Sequence, residues 1–293
     1  MDLASLEAFL AVADSGGFSA AGERLHLTQP AVSKRIAVLE GQLGRRLFDR
    51  IGREVALTEA GQALLPRARR ILAELDDTRR ALGNLDAEVG GRLSLATSHH
   101  IGLHRLPPLL RAFSRGHPRA ALELQFLDSE QAWAQVLHGR VELALTTLGP
   151  AAAPLRTLPV WDDPLEFVVA PDHPLAARGE VALAELAAHP AVLPDANTFT
   201  HRIVADRFAA AGLAPTLRMT TNAMETLKML ASVGLAWSVL PHTMLDAQTT
   251  VLRVPGVQLR RQLGCVTHAG RTLSNAARAF MALLDDAART GGD

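Results

Sequence analysis

Residues 18–43 most strongly constrain the fold, because their pattern predicts two helices joined by a tight turn. Ser19 is placed to cap the first helix, and the turn follows at His26 and the next residue. Thr28 is the predicted N-cap of the second helix, with Pro30 in the first turn, where a missing N–H breaks no helical hydrogen bond. Apolar residues at helical spacing predict a buried stripe on the second helix, formed by Val32, Ile36, Leu39 and Leu43.

Gln29, Ser33 and Lys34 lie on the opposite side of that second helix and are predicted to be exposed. A recognition helix needs such a narrow polar face to enter a major groove about 12 Å wide. Glutamine suits an adenine edge, lysine suits guanine or phosphate, and serine suits a base or a phosphate. Periodicity alone leaves open an alternative, in which this is a surface helical hairpin in an all-α domain.

The segment 43–61 follows without a break and predicts a β-hairpin. Two short runs of strand-forming residues, 47–48 and 55–57, flank a turn at 51–52. The hairpin carries Arg50 and Arg53, and a helix-turn-helix followed by a basic hairpin is a winged DNA-binding module.

The run from Phe18 to Gly61 closely resembles the N-terminal domain of LysR-type bacterial transcriptional regulators. The matching motifs are Ser-Ala-Ala before the turn, Thr-Gln-Pro-Ala-Val-Ser at the recognition helix, Leu-Glu after it, Leu-Phe-Asp-Arg, and Leu-Thr-Glu-Ala-Gly after the wing. The resemblance implies that Gln29, Pro30, Ser33 and Lys34 lie at the DNA groove, Arg53 on the wing, and Thr28 and Arg50 near phosphates. Lys34 departs from the arginine common in the family, which weakens any bidentate recognition of guanine.

The charge distribution agrees with a nucleic-acid partner although the formal net charge is +0. Between residues 23 and 70 there are ten basic and five acidic residues. Phosphate contacts depend on such a local field rather than on the charge of the whole chain. The chain has two lysines, Lys34 and Lys228, and one of them lies on the predicted reading face.

Residues 59–88 form a predicted long helix with a heptad pattern over about three repeats. We interpret it as a dimerisation helix, because a winged domain that reads a palindromic site needs a partner at a fixed separation. An ordinary amphipathic helix packed on its own domain is the alternative. In LysR-type proteins the corresponding segment is a linker helix that dimerises, and the resemblance further implies a homotetramer. The pattern consists of Leu64, Ile71, Thr78 and Leu85, interleaved with Ala68, Leu75 and Leu82.

Gly90 and Gly91 mark the next predicted boundary, after which strands and helices alternate. Strands are predicted at 92–97, 121–127, 142–147, 165–170, 216–220, 235–240 and 263–268, and helices at 103–116, 129–139, 201–211, 224–233 and 274–288. This alternation predicts an α/β architecture with a parallel sheet and helices on both faces. The order resembles the LysR effector domain, which is similar to periplasmic binding proteins. The predicted division is a winged domain at 1–58, a linker helix at 59–89 and an effector domain at 90–293, with lobe I at 92–161 and 267–293 and lobe II at 162–266.

Polar residues follow the predicted strands or open the predicted helices, where α/β lobes bind ligands. In the first lobe these are Thr97, Ser98, His99, His100, Ser129, Thr146 and Thr147, and in the second Thr198, Thr200, His201, Arg202, Thr220, Thr221 and Asn222. On the family model they converge on the cleft between the lobes and suit a small anion, in particular a carboxylate. Helix capping is the alternative for any single hydroxyl in this set.

Other functions are less consistent with the sequence. His99, His100 and His104 lack a nearby acidic residue or cysteine at ligand spacing, so we expect no metal and no cofactor beyond the effector. There is no Gly-x-Ser-x-Gly elbow, phosphate loop or dinucleotide fingerprint, so we do not expect an α/β hydrolase or another enzyme. Lobes that only oligomerise remain a further alternative.

Cys265, the single cysteine, is predicted to be a buried apolar residue. An acidic N-terminus and the absence of a long apolar run predict a cytoplasmic protein without membrane contact.

Overall fold

The computed structural model describes residues 1–51, 54–85 and 88–290, with backbone alone at residues 50, 51, 54 and 290. Contacts divide the chain into two compact units, Met1–Leu82 and Gly83–Asp293. Each unit has its own apolar core. None of the helices in the described ranges combines the length and the apolar character that a bilayer crossing requires.

The first unit is a winged helix-turn-helix followed by a long helix. Three short helices come first, then a two-stranded antiparallel hairpin, and then a helix of 25 residues. In chain order these are α1 (Leu3–Ser15), α2 (Phe18–Leu25), α3 (Gln29–Leu43), β1 (Phe48–Ile51), β2 (Glu54–Leu57) and α4 (Glu59–Gly83).

The predicted helix-turn-helix is confirmed, with two local corrections. His26 ends α2 in the left-handed conformation with φ 53°, and Thr28 occupies the N-cap position of α3. The prediction that Ser19 caps α2 is wrong, because the helix begins at Phe18, whose ring packs edge-on against Phe48. Leu43 is exposed rather than buried, since it is the last residue of α3 before the chain turns away.

Carboxylates hold the first unit together at two places. The Glu40 carboxylate accepts hydrogen bonds from the backbone N–H groups of Leu47 (2.6 Å) and Phe48 (3.4 Å), and so fixes the start of the wing on α3. Asp14 at the end of α1 pairs with Arg69 of α4 at 2.9 Å and with Arg24 of α2 at 3.4 Å. The motif residues Leu39 and Glu40 thus lie inside α3 rather than after it, and Glu40 has a structural role.

The long helix α4 uses its apolar residues in two ways. Ala68 is buried in the core of the first unit, and Leu64 and Leu72 pack against that core. Ile71 and Leu82 are exposed. Pro66 lies inside the helix without ending it. The N-terminal half of the predicted heptad thus packs on its own unit, as the alternative interpretation requires, while exposed apolar positions continue toward the C-terminal end.

The second unit contains the α/β elements. Its helices are α5 (His99–His104), α6 (Leu106–Gly116), α7 (Ser129–Leu137), α8 (Leu183–Ala188), α9 (Phe199–Ala210), α10 (Met224–Ser232) and α11 (Asn275–Thr290), with a 3₁₀ turn at His242–Met244. Its strands are β3 (Gly91–Thr97), β4 (Ala120–Phe126), β5 (Leu143–Thr147), β6 (Leu155–Val169), β7 (Pro190–Leu193), β8 (Thr216–Thr220), β9 (Ser238–Pro241), β10 (Thr250–Leu252) and β11 (Leu259–His268).

Two long antiparallel strands, β6 and β11, pass through both lobes of this unit. They pair along their whole length, with a register shift between Leu263 and Gly264. On one side β11 pairs with β5 of the first lobe, and on the other β6 pairs with β9 and β10 of the second lobe. Cys265 therefore lies in the core of the first lobe, although the predicted division had assigned it to the second.

The sheet is mixed rather than parallel, which corrects the predicted topology. In residues 88–290 the strand order is β10-β6-β11-β5-β3-β4 with β9 beside β6, and a smaller sheet joins β7 and β8 in parallel. β3 runs parallel to β4 and β5, whereas β11 is antiparallel to both of its neighbours. The chain must enter and leave the second lobe, so its two crossing strands run in opposite directions.

Several element boundaries also differ from the prediction. The helix predicted at 103–116 is two helices, α5 and α6, which break at Arg105. The strand predicted at 165–170 begins ten residues earlier, at Leu155. Three elements, α8, β7 and β10, were not predicted, because they span only 6, 4 and 3 residues and carry little periodicity.

Gly22 provides a test of the helix-turn-helix packing. A Cβ atom at Gly22 would lie 2.7 Å from the backbone oxygen of Leu27, whereas one at Gly41 of α3 would meet nothing within 4 Å. We expect Gly22→Ala to destabilise the turn by about 1–3 kcal/mol and Gly41→Ala to be neutral or stabilising by about 0.5–1 kcal/mol. Amide hydrogen exchange of peptides from α2 and α3 measures both. Equal protection in the two variants would contradict the close approach.

Candidate functional site

The two lobes of the second unit meet in a closed, polar cleft. Asn222 Nδ2 of the second lobe donates to Asp128 Oδ2 of the first at 2.8 Å. The backbone N–H of Phe199 donates to Glu130 Oε1 at 2.6 Å, and its ring lies 5.4 Å from that of Trp133. These contacts hold helix α7 of one lobe against helix α9 of the other.

The cleft encloses a small cavity of about 50 Å³, room for the centres of only a few water molecules. Seven of the predicted effector residues line it, and they come from both lobes: Ser98, His99, His100, Ser129, Thr147, Thr200 and Asn222. Thr198 lines it too, and its Oγ1 accepts a hydrogen bond from the backbone N–H of His201 at 3.1 Å. The predicted strand ends and helix starts therefore do meet at one place.

The other candidate residues do not line this cavity. Thr97 Oγ1 donates to the Leu145 carbonyl oxygen, and Thr146 Oγ1 accepts from the indole N–H of Trp133 at 2.9 Å. His201 is buried with Nδ1 2.8 Å from the Pro194 carbonyl oxygen. These side chains serve packing within a lobe. Three more lie away from the lining: Arg202, which is exposed over the Phe199 ring, Thr220 at the end of β8, and Thr221 just after it.

An ion pair that the sequence analysis missed lies at the base of the cleft. Arg261 Nε donates to Asp163 Oδ2 at 2.7 Å, and Arg261 Nη1 donates to Thr200 Oγ1 at 2.9 Å. Asp163 is 0% and Arg261 5% exposed. Arg105 of the first lobe approaches Asp163 Oδ1 at 3.8 Å. Removing one partner of such a pair costs about 3–5 kcal/mol, because the other charge is left buried.

Arg261 keeps binding capacity after these contacts. Within the described ranges its Nη2 group has no hydrogen-bond partner, and the residue lines the cavity. A guanidinium nitrogen with free N–H groups is a donor suited to carboxylate or phosphate oxygens. The cleft therefore offers one cationic donor that the fold itself does not fully use.

His100 is the second unusual group in the cleft. It is 3% exposed, and neither ring nitrogen has a hydrogen-bond partner in the part of the chain that the structure describes. Burial, together with the positive charges of Arg261, His104 and Arg105, lowers the pKa of His100 to about 3. The ring is therefore neutral at physiological pH, with one N–H donor and one nitrogen acceptor.

Sequence reasoning missed five lining residues, namely Asp128, Glu130, Pro194, Met224 and Arg261. The sequence does indicate that Arg261 is buried, since it alternates with the apolar Leu259 and Leu263 on the buried face of β11. An arginine at such a position is rarely left unpaired. The other four gave no comparable signal, because acidic helix starts and single apolar residues are common on surfaces.

Neither a metal site nor a reactive thiol forms in the described ranges. No group of three or more His, Cys, Asp or Glu side chains there could hold a metal ion. Cys265 is buried, and burial raises the pKa of its thiol to about 12. It is therefore protonated and packs as the predicted apolar residue.

The predicted DNA-reading residues lie on one side of α3 and just before it. Thr28, Gln29, Pro30 and Lys34 are exposed, and Ser33 is half-buried. Gln29 Nε2 donates to Ser33 Oγ at 2.8 Å. For the wing residue Arg50 only the backbone is described, in β1, and Arg53 lies outside the described residues.

A winged helix-turn-helix and a two-lobed α/β unit with a closed polar cleft are the parts of a DNA-binding transcriptional regulator with a ligand-binding domain. Comparison with family models agrees with this class. Residues 3–62 match the model of the bacterial regulatory helix-turn-helix protein, lysR family, and residues 86–289 match the LysR substrate binding domain. The chain therefore belongs to the LysR family of transcriptional regulators and is not an enzyme.

Individual relatives differ in how much of this chain they match. The RuBisCO operon transcriptional regulator of Allochromatium vinosum is 32% identical over 99% of this chain and 97% of its own. An uncharacterized HTH-type regulator from the ibpB-leuC intergenic region of Azotobacter vinelandii is 79% identical over 37% of this chain and 75% of its own. The structure of full-length CbnR complexed with its target DNA has the same fold, with 24% identity, a TM-score of 0.65 and full coverage of both chains.

The lowered pKa of His100 predicts how the stability of the second unit changes with pH. Its folded-state value of about 3 lies below the ordinary 6.5, so protons bind the unfolded chain more readily. The stabilisation is complete above pH 6.5 and is lost as the pH falls toward 3, by up to about 1.4 kcal/mol per pH unit.

We expect the unfolding free energy of the wild type to fall by up to about 2 kcal/mol more than that of His100→Gln between pH 7 and pH 5. Urea titrations followed by tryptophan fluorescence measure it selectively, because all three tryptophans lie in the second unit. Parallel stability profiles for the two proteins would show that the ring is not held neutral.

Proposed function

We propose that this LysR-family protein is a cytoplasmic regulator that binds promoter DNA as a dimer or tetramer and responds to a small anionic metabolite, in particular a carboxylate. The metabolite binds in the cleft between the two lobes. The observation that carries the proposal is Arg261, a buried cation that lines the cleft and keeps a free Nη2 donor.

Residues on α3 read the DNA in this proposal. Gln29, Pro30, Ser33 and Lys34 lie at the DNA groove, and Thr28 lies near a phosphate. Their exposure supports the assignment. The mutual hydrogen bond of Gln29 and Ser33 keeps both side chains on one surface. The family resemblance assigns Arg50 a place near phosphates and Arg53 a place on the wing. CbnR, with the same fold, has a structure in complex with its target DNA.

Oligomerisation uses the linker helix. Exposed apolar residues on and after α4 support this step, since Ile71 is 38%, Leu82 63% and Leu85 81% exposed. The 11-residue spacing of Ile71 and Leu82 keeps these two near one stripe of α4. A dimer that buries this stripe places two reading helices at a fixed separation, and pairing of dimers gives the tetramer.

The effector domain works by a shift between lobe arrangements. Contacts between Asn222 and Asp128 and between Phe199 and Glu130 hold the lobes closed. A ligand changes the population of this state only as far as it binds the closed and open states differently. Hydroxyls and a cation in the cleft favour this role over lobes that merely oligomerise, because an oligomerisation scaffold needs no free donors inside a cavity.

Lys34 tests the reading face. Lys34→Ala should weaken binding to the specific promoter by about 1–3 kcal/mol relative to random DNA, because the lysine contributes to base recognition. Lys228→Ala is the matched control, since it removes the other lysine of the chain, which pairs with Asp246 in the second unit. Fluorescence anisotropy on both DNAs measures the effect. An equal loss on both would make Lys34 a phosphate contact.

Ser98 tests the cleft. A carboxylate at about 100 times its dissociation constant raises the stability of the second unit by about 2.7 kcal/mol, which a thermal-shift screen of metabolic carboxylates detects. We expect Ser98→Ala to reduce this shift for the active compound, because the Ser98 hydroxyl lines the cavity. Ser232→Ala, on α10 outside the cavity, is the control and should keep the shift. If no carboxylate changes the melting temperature, none of the screened carboxylates is the effector, which contradicts the proposed carboxylate class.

A further inference from the structure

A ligand that enters the cleft must provide hydrogen-bond partners for the ring of His100 if the ring is not to stay unpaired. Its ring is buried at the cavity wall, and both nitrogens lack a partner within the described ranges. A buried polar group without a hydrogen bond is energetically unfavourable. A ligand that satisfies the ring recovers this energy, whereas one that only fills the space does not.

Most other free groups in the cavity are donors. Arg261 contributes Nη2, and the hydroxyl groups of Ser98 and Thr147 line the cavity without a hydrogen bond of their own in the described part of the chain. Thr200 Oγ1 already accepts from Arg261, so its hydroxyl hydrogen is free to donate. The neutral His100 ring differs from these groups because it is buried with no hydrogen-bond partner at either nitrogen within the described ranges. It offers one acceptor nitrogen and one N–H donor.

The acidic lining residues are already engaged elsewhere. Asp128 accepts from Asn222 and caps α7, and Glu130 accepts from the first backbone N–H of α9. Glu130 thereby occupies the helix N-terminus at which an incoming anion would otherwise bind. Arg261 Nη2 is therefore the charged donor left for an anion, and His100 is the buried lining residue whose ring nitrogens both lack a partner within the described ranges.

The charges around His100 select the kind of donor that the ligand can present. Arg261, Arg105 and His104 surround the ring and disfavour a positive charge there. Asp163 is the acidic group close to them, and it is paired with Arg261. An ammonium group next to His100 would meet the same repulsion, so the matching donor is a neutral hydroxyl.

We propose that the effector is a short 2-hydroxycarboxylate, whose carboxylate binds Arg261 Nη2 and the cleft hydroxyls and whose 2-hydroxyl donates to His100. The small cavity favours a short ligand, and a 2-hydroxycarboxylate carries the two groups on adjacent carbons. This inference rests on the proposed function, because it names the chemical class of the anion that the cleft binds. His100 is then the residue that distinguishes a hydroxy acid from other carboxylates.

Isothermal titration calorimetry of the full-length protein tests the proposal with matched sets of acids. Each set keeps the carbon skeleton and changes only the 2-substituent: acetate, glycolate and glycine; propionate, lactate and alanine; succinate, malate and aspartate. In at least one set we expect the hydroxy acid to bind at least tenfold more tightly than both other members. His100→Leu should abolish this preference, and His100→Gln, which keeps a donor and an acceptor, should retain most of it.

The possible outcomes test the 2-hydroxycarboxylate proposal separately from the broader proposal of an anionic effector. Equal affinity for the plain acid and the hydroxy acid would overturn the role of His100 and leave an anionic effector in place. Tighter binding of an amino acid would overturn the electrostatic argument in the same way. If none of the nine acids binds the wild type, this proposal fails, and the carboxylate screen decides the proposed function separately. Thermal melts of both His100 variants without ligand show whether each is folded.

Discussion

The buried ion pair of Asp163 and Arg261 joins the features on which the second unit depends. The two residues face each other on β6 and β11, the strands that cross between the lobes. Arg261 also binds Thr200 of α9, and Arg105 reaches Asp163 from the first lobe. One charge cluster thus touches the crossing strands, both lobes and the cavity. Because a buried charge is costly when unpaired, the cluster constrains how these elements can move.

Some polar atoms in and beside this charge cluster lack hydrogen-bond partners, and these atoms explain why the cleft can bind a ligand. In a cavity of about 50 Å³ every polar atom must find a partner in the protein, in water or in a ligand. Arg261 Nη2 and the His100 ring have none within the described ranges. The lobes close through Asp128, Glu130 and their partners instead, so closure and ligand binding use different groups.

In the first unit, the recognition helix α3 is held in place by contacts on the side opposite its exposed polar residues. Val32, Ile36 and Leu39 are buried in its core, and Glu40 holds the start of the wing. Asp14 links α1 to α2 and α4 through ion pairs. The side of α3 that carries Gln29 and Lys34 therefore does not contribute to the core of the first unit. Gly22 and the motif residue Glu40 act on packing, and the exposed residues are left for recognition.

The sequence by itself determined the winged helix-turn-helix, the long helix after it, the alternation of strands and helices, and most polar residues at the strand ends. Local signals suffice there: the turn at His26, the N-cap at Thr28 and helical periodicity act over a few residues. Only the tertiary structure showed that the sheet is mixed, that Thr147 lines the cavity while Thr146 packs against Trp133, and that Arg261 and Asp163 meet. Those two residues lie 98 positions apart, and their pairing depends on strand register, which no local pattern encodes.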